Sequence, residues 1–334
     1  MDCFCGHDHP EYLMKDIKNI TFKFIGYGIT LASFIYIFFL LKNIEFNNLQ
    51  SSLKNFFLIK YCFFTFICAL SNFILAFSWR YILEFLHQKS LPFGEIFKIY
   101  MKTFIARYIP GNIFHFVGRQ LLGNKLGINH AVLALSSVLE SFILLIVGSI
   151  FILTGFFQNF FNISIFDRLY INNKKLLLLL VGGCFIAVIY FIYKKHLREI
   201  FGSFSIRRMG FWVKICFFYS LFLFINGVIL FCIFFFMLKT DLKINNLPII
   251  ICAQVFAWMG GFITPGAPGG LGVREALLTM ILSNILPATS IIAGVLIFRL
   301  ITLFGEILAL GIAIFFFKYP FEKNYSKRKN LINR

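Results

Sequence analysis

Charge is what this chain has least of. Only 14% of its 334 residues are Asp, Glu, Lys or Arg, where a soluble domain carries about 25%. Acids are the scarcer sign, 14 against 32 Lys and Arg, for a net charge of +18. With 59% hydrophobic residues, too little polar surface remains to cover a water-soluble globule of this size, which excludes that class. Cysteine lacks the spacing of a disulfide framework. Five of the eight (Cys62, Cys68, Cys184, Cys232 and Cys252) fall inside apolar runs and read as small buried residues. No cleavable leader is expected: the first twenty residues are polar and hold Asp2, Asp8, Glu11 and Asp16.

What is present is a series of apolar runs long enough to cross about 30 Å of hydrocarbon as helix. Six are uninterrupted, at about 22–41, 56–79, 131–157, 176–193, 215–238 and 288–317. Two more, about 93–122 and 248–286, are broken by Pro and Gly. The basic residues lie between the runs, so their expected partners are anionic lipid headgroups and not nucleic acid. Placing both termini in the cytoplasm of a cell with an inner membrane puts 22 Lys and Arg on the cytoplasmic side and 7 on the other. Each broken run then begins and ends on one face, which predicts re-entrant hairpins. The expected fold class is all-α: a polytopic helical membrane protein of six full spans and two Pro/Gly-broken hairpins.

The runs repeat. Adding 155 to the first half superposes 22–41, 56–79 and 131–157 on the later spans, and Pro110, Gly111, Arg119 and Leu122 on Pro265, Gly266, Arg274 and Leu277. The hairpins enter from opposite faces, so this is an inverted-topology repeat, about 21–157 and 176–317, within one transmembrane domain at 21–317. Residues 1–20 and 318–334 are read as cytoplasmic tails. Inverted repeats with broken helices are the architecture of secondary transporters, which bind cargo where the helices break.

The expected binding residues lie on the two breaks. In the second, Thr264, Pro265, Gly266, Gly269, Gly270 and Gly272 cannot continue a helix, and irregular backbone at membrane depth must be buried in protein or line a wet cavity. A helix restarting near Gly272 would aim free amides into the turn, and Arg274 adds a planar donor fork suited to phosphate. The alternative for Arg274 is an ion pair with Glu275 or another buried acid. In the first break, Arg107 and Arg119 flank Pro110, Gly111 and Asn112; His115 reads as a structural hydrogen-bonder. Glu140, Arg299 and Glu306 lie within spans, where ionisable groups are either functional or paired. Glu140 or Glu306 is expected to pair with Arg299 or to carry a proton. Arg299 and Glu306 share a helix face about 10 Å apart, which calls for a bridging partner.

No nucleophile–base constellation is present, so no enzyme activity and no cofactor are expected. The run Cys3-Phe-Cys5-Gly-His7-Asp-His9 has metal-ligand residue types at tighter spacing than zinc fingers use, and is read as tail, with no metal.

The segments Arg107-Tyr-Ile-Pro110-Gly111-Asn112 with Gly118-Arg119, and Pro265-Gly-Ala-Pro268-Gly269-Gly270-Leu-Gly272-Val-Arg274-Glu275, resemble the membrane domain of the lysylphosphatidylglycerol synthase/flippase family over about 20–317. The resemblance implies a bacterial or archaeal membrane protein related to lipid flippases, some of whose relatives are associated with glycan-lipid pathways. Relatives that make aminoacylated lipid carry a soluble catalytic domain after the membrane domain. This sequence ends seventeen residues after Phe317, so no lysylphosphatidylglycerol synthesis is expected. The expected function is flippase-like transport of a phospholipid or lipid-linked saccharide. Membrane lipids or lipid-linked glycans, and envelope-biosynthesis proteins, are the expected partners. A membrane scaffold and a proton-coupled solute transporter stand as alternatives.

Overall fold

The computed structural model describes residues 56–108, 114–157, 206–264, 268–270 and 272–317. The expected spans 22–41 and 176–193, both tails and the Cys3–His9 run lie outside the described residues. So do Pro110, Gly111, Asn112, Pro265 and Gly266.

The described residues are helical, in the order α1 (Phe56–His87), α2 (Phe93–Phe104), α3 (Phe114–Asn124), α4 (His130–Phe157), α5 (Ile206–Cys232), α6 (Leu247–Ile263), α7 (Val273–Leu282) and α8 (Ala288–Phe316). They contain no strand. Four of the expected spans are α1, α4, α5 and α8, and each is long and apolar enough to cross a membrane. The chain is a multi-pass membrane protein. α1 runs past the end of its apolar stretch because Arg80 and Glu84, one turn apart, pair at 2.8 Å. The Glu84 carboxylate then accepts the amide of Leu91 at 2.8 Å, fixing the approach to α2. α5 ends in a π-helical turn, Ile233–Met237. That extra residue per turn sets the Phe234 ring against Gly294 of α8, where a side chain would collide with it.

Both broken runs form pairs of helices packed on one another. In the first, α2 leads through a 3-10 turn at Ile105–Tyr108 towards α3. The limbs touch where Gly118 faces Thr103, with a Cβ at Gly118 falling 2.8 Å from Thr103 Cγ2. In the second, α6 packs on α7 through Gly260 against Leu277 and Gly261 against Arg274. The limbs of the second hairpin are unequal. With its leading 3-10 turn, α6 spans Ile244–Ile263 and is long enough to cross a membrane on its own. α7 has 10 residues and reaches about 15 Å. The helix persists through Gly260 and Gly261 because no proline follows Pro248 until position 265.

The order helix, hairpin, helix occurs twice, and the packing follows it. α2 lies on α8 and α6 on α4, while α3 lies on α4 and α7 on α8, so each hairpin bridges the last helices of both halves. α1 and α5 pack on one another. The hairpin tips meet: a Cβ at Gly269 would fall 2.7 Å from the Tyr108 ring.

Three of the basic residues counted on the cytoplasmic side are enclosed within the first hairpin. Lys98 and Arg119 are buried and Arg107 is nearly so. Lys98 Nζ donates to the carbonyl of Phe317 at 2.9 Å, closing the end of α8. Removing these three from 22 leaves 19 against 7, so the asymmetry on which the orientation rests remains.

Candidate functional site

Seven ionisable groups gather around the meeting point of the hairpins: Arg107, Arg119, Arg274 and Arg299, with Glu140, Glu275 and Glu306. An isolated charge in this environment is unfavourable by several kcal/mol, about 3–5 for a pair broken by loss of one partner, so each of these groups calls for a partner.

Arg119 on α3 pairs with Glu140 on α4. Tyr100 of α2 donates to the same carboxylate at 2.6 Å, and the guanidinium lies 4.2 Å from the Tyr100 ring and 4.9 Å from the Trp79 ring. Trp79 Nε1 in turn donates to Ser136 Oγ at 3.2 Å. This network ties both limbs of the first hairpin to α1 and α4.

Arg107 in the first tip pairs with Glu306 on α8, and Tyr108 donates to the same Glu306 oxygen at 3.3 Å. The other oxygen, Oε2, is buried with no hydrogen-bond partner.

Arg299 on α8 holds the second tip. Its Nε pairs with Glu275, while Nη1 and Nη2 donate to the carbonyls of Gly269 at 3.3 Å and Gly270 at 3.1 Å. Those carbonyls are available because Gly269, Gly270 and Gly272 adopt φ of 58°, 73° and 82°, a region open to glycine at little steric cost. Glu275 Oε2 accepts the Gly272 amide at 2.6 Å. One amide at the start of α7 is therefore already used and not free for a ligand.

The expectation that Glu140 or Glu306 pairs with Arg299 is corrected. All three residues are in ion pairs, but not with one another. Arg299 and Glu306, two turns apart on α8, each reach a different hairpin. Arg274 does not pair with Glu275 either.

Four arginines against three glutamates leave one cation over, and it is Arg274. Among the described residues no carboxylate lies within ion-pair distance of it, and its Nε has no hydrogen-bond partner. Its stem is threaded between Gly261 and Gly270, where a Cβ would come within 2.6 and 2.7 Å of Arg274 Nε. The guanidinium sits 5.8 Å from the Trp258 ring. The 155-residue offset that carries Arg119 onto Arg274 carries Glu140 onto Val295, so the second half lacks the acid that neutralises its counterpart.

Arg274 lines a cavity of about 50 Å³ shared by both hairpins. Its other walls include Arg107, Arg119, Glu140, Gly269, His115 and the rings of Phe104, Phe116, Trp258 and Phe262. His115 is buried with Nδ1 unpartnered. Of the expected binding residues, Arg107, Arg119, Gly269 and Arg274 reach this cavity. Gly270, Gly272 and Glu275 build the turn behind it, and Thr264 spends its hydroxyl on the Gly260 carbonyl at 2.7 Å. Tyr100, Tyr108, Trp258 and Gly261 were not expected here. The signal for the first three was available: a Tyr or Trp inside an apolar hairpin needs a partner for its polar atom. Gly261 gave none, since its role depends on which side chain passes over it.

A family model described as the lysylphosphatidylglycerol synthase TM region matches residues 24–311. No curated protein matches the chain. The chain belongs to the lysylphosphatidylglycerol synthase transmembrane-region family.

Proposed function

We propose that the chain is a flippase-like transporter of a phosphate-bearing lipid, a phospholipid or a lipid-linked saccharide, and that Arg274 receives the phosphate. The observation that carries this is a guanidinium with no carboxylate in ion-pair reach among the described residues, lining a cavity shared by both hairpins. Arg274 is half-buried with its Nε enclosed; a cation so placed without a counter-ion is disfavoured, and an anionic headgroup supplies the missing charge. The cavity admits only the headgroup's charged portion, and the acyl or polyprenyl chains stay in the bilayer.

The two interleaved halves supply the means of switching access. Each hairpin bridges the last helices of both halves, so rocking one half against the other opens the cavity to one face while closing it to the other. We read the chain as non-enzymatic, placed in the inner membrane of its cell with both termini cytoplasmic; the 19-to-7 bias of basic residues supports the orientation.

Reconstitution into liposomes tests this, with a fluorescent short-chain phosphatidylglycerol and a polyprenyl-phosphate-linked sugar as separate probes. The expected result is protein-dependent translocation of at least one probe, lost in Arg274→Gln and kept in Arg80→Gln, whose charge lies in a pair on α1 remote in sequence from both tips. Loss of one charge-assisted hydrogen bond, about 1.5–3 kcal/mol, reduces affinity about 10- to 150-fold. Absence of translocation for both probes, or equal rates with Arg274→Gln, refutes the proposal and favours a scaffold.

A further inference from the structure

We infer that Glu306 is a proton-binding site coupled to the headgroup site: the anion and one proton bind together. The inference rests on the transport reading above and adds its energy coupling.

Glu306 faces Arg107 and Tyr108 of the first tip, Cys68 of α1, Arg274 of the second hairpin, and Arg299 on its own helix. One of its oxygens takes both hydrogen bonds, from Arg107 and Tyr108. The other is buried and has no partner among the described residues, although an ionised carboxylate in such a place calls for donors on both oxygens. The counter-ion that keeps Glu306 ionised is Arg107, and Arg107 also lines the cavity with Arg274.

A phosphate entering the cavity therefore competes with Glu306 for Arg107. As the guanidinium turns to the phosphate, Glu306 is left buried without its cation, the condition that favours its neutral form. A proton delivered from the aqueous phase by hydronium or buffer acid adds to Oε2, the ion pair becomes a neutral acid, and Arg107 joins Arg274 on the ligand. No bond other than that O–H forms. Linkage then requires the reverse effect: protonation of Glu306 frees Arg107 and tightens anion binding, so affinity rises as pH falls. Because Arg107 lies at the tip, the same event loosens the first hairpin from α8. The arrangement lets a proton gradient drive a headgroup across the membrane, proton and anion moving in the same direction.

Two measurements on the reconstituted full chain test this. The first needs no ligand binding: infrared difference spectra between mildly alkaline and mildly acidic pH. The wild type should show a protonated carboxylic acid that is absent in Glu306→Gln and retained in His115→Gln. The second is calorimetric binding of a short-chain phosphatidylglycerol in buffers of different ionisation heat. Up to one proton should be taken up per probe bound, with affinity rising tenfold or more between the alkaline and acidic conditions. Glu306→Gln should bind without proton uptake and without pH dependence. An infrared band that persists in Glu306→Gln, or disappears in His115→Gln, overturns the assignment. Probe binding by the wild type without proton uptake overturns the coupling. If the infrared band is assigned to Glu306 and neither lipid probe of the transport assay binds or moves, the headgroup reading fails and the proton site stands alone.

Discussion

Gly261→Ala is the sharpest available separation of function from folding. Position 261 lies near the end of α6 with no unusual backbone angle, so alanine gains about 0.8–1.0 kcal/mol of helix propensity. The new methyl would sit 2.6 Å from both Cγ and Nε of Arg274 and 3.1 Å from Cα of Gly270. The first two contacts are far inside van der Waals distance, and the Arg274 side chain is the part able to move. Overpacking of this kind costs about 1–3 kcal/mol, so the net change in stability lies between zero and about 2 kcal/mol. The guanidinium, however, leaves its slot between the two glycines and no longer points at the cavity. Losing one charge-assisted contact of about 1.5–3 kcal/mol lowers headgroup affinity about 10- to 150-fold. The measurement pairs lipid translocation in liposomes with thermal unfolding in detergent. Gly311→Ala serves as the control, since nothing lies within 4 Å of a Cβ there. A Gly261→Ala protein that transports at the wild-type rate refutes the claim that Arg274 must thread this slot to serve the ligand.

Other substitutions separate the roles of the buried pairs. Arg119→Met leaves Glu140 charged and buried, and should lower stability by about 3–5 kcal/mol. Adding Glu140→Leu should restore much of that loss, read as recovery of the thermal unfolding midpoint. Arg299→Lys keeps the charge but loses the fork that holds Glu275 and two glycine carbonyls; a lower thermal unfolding midpoint in detergent should report the loosened turn. Gly227→Ala would drive a methyl to 2.9 Å from the Cα of Ile251, a backbone atom that cannot step aside. A stability loss of about 1–3 kcal/mol is expected, visible in the same unfolding assay.

The helices were legible because their signals are local. A run of apolar residues the width of a bilayer, or a Pro-Gly break within one, is visible in a short window, and α1, α4, α5 and α8 begin or end close to where hydropathy places them. The extension of α1 to His87 depends on the Arg80–Glu84 pair, and the longer limb α6 on the tolerance of a helix for Gly260 and Gly261. The charged residues were legible as a set, since any Arg or Glu in such a run stands out. Their partners were not. Arg299 and Glu306 look like mates on one helix face, yet about 10 Å along the axis is too far for contact, and each found a partner on a separate hairpin. Those choices come from how hairpins lie across the last helices of both halves, a property of packing that no local pattern carries.

The link between Arg107 and Glu306 bears on how the protein is made. The partners are 199 residues apart, whereas Arg119 and Glu140 are separated by 21. At about 5–20 residues per second, Glu140 follows Arg119 from the ribosome within about 1–4 seconds. Glu306 follows Arg107 only after about 10–40 seconds. Through that interval the first hairpin has its inner pair but not its outer one, and its tip carries a cation with no acid to meet it. Until the last helix arrives, that tip must stay hydrated or be held by the insertion machinery, so the first half waits unfinished for the final helix of the second.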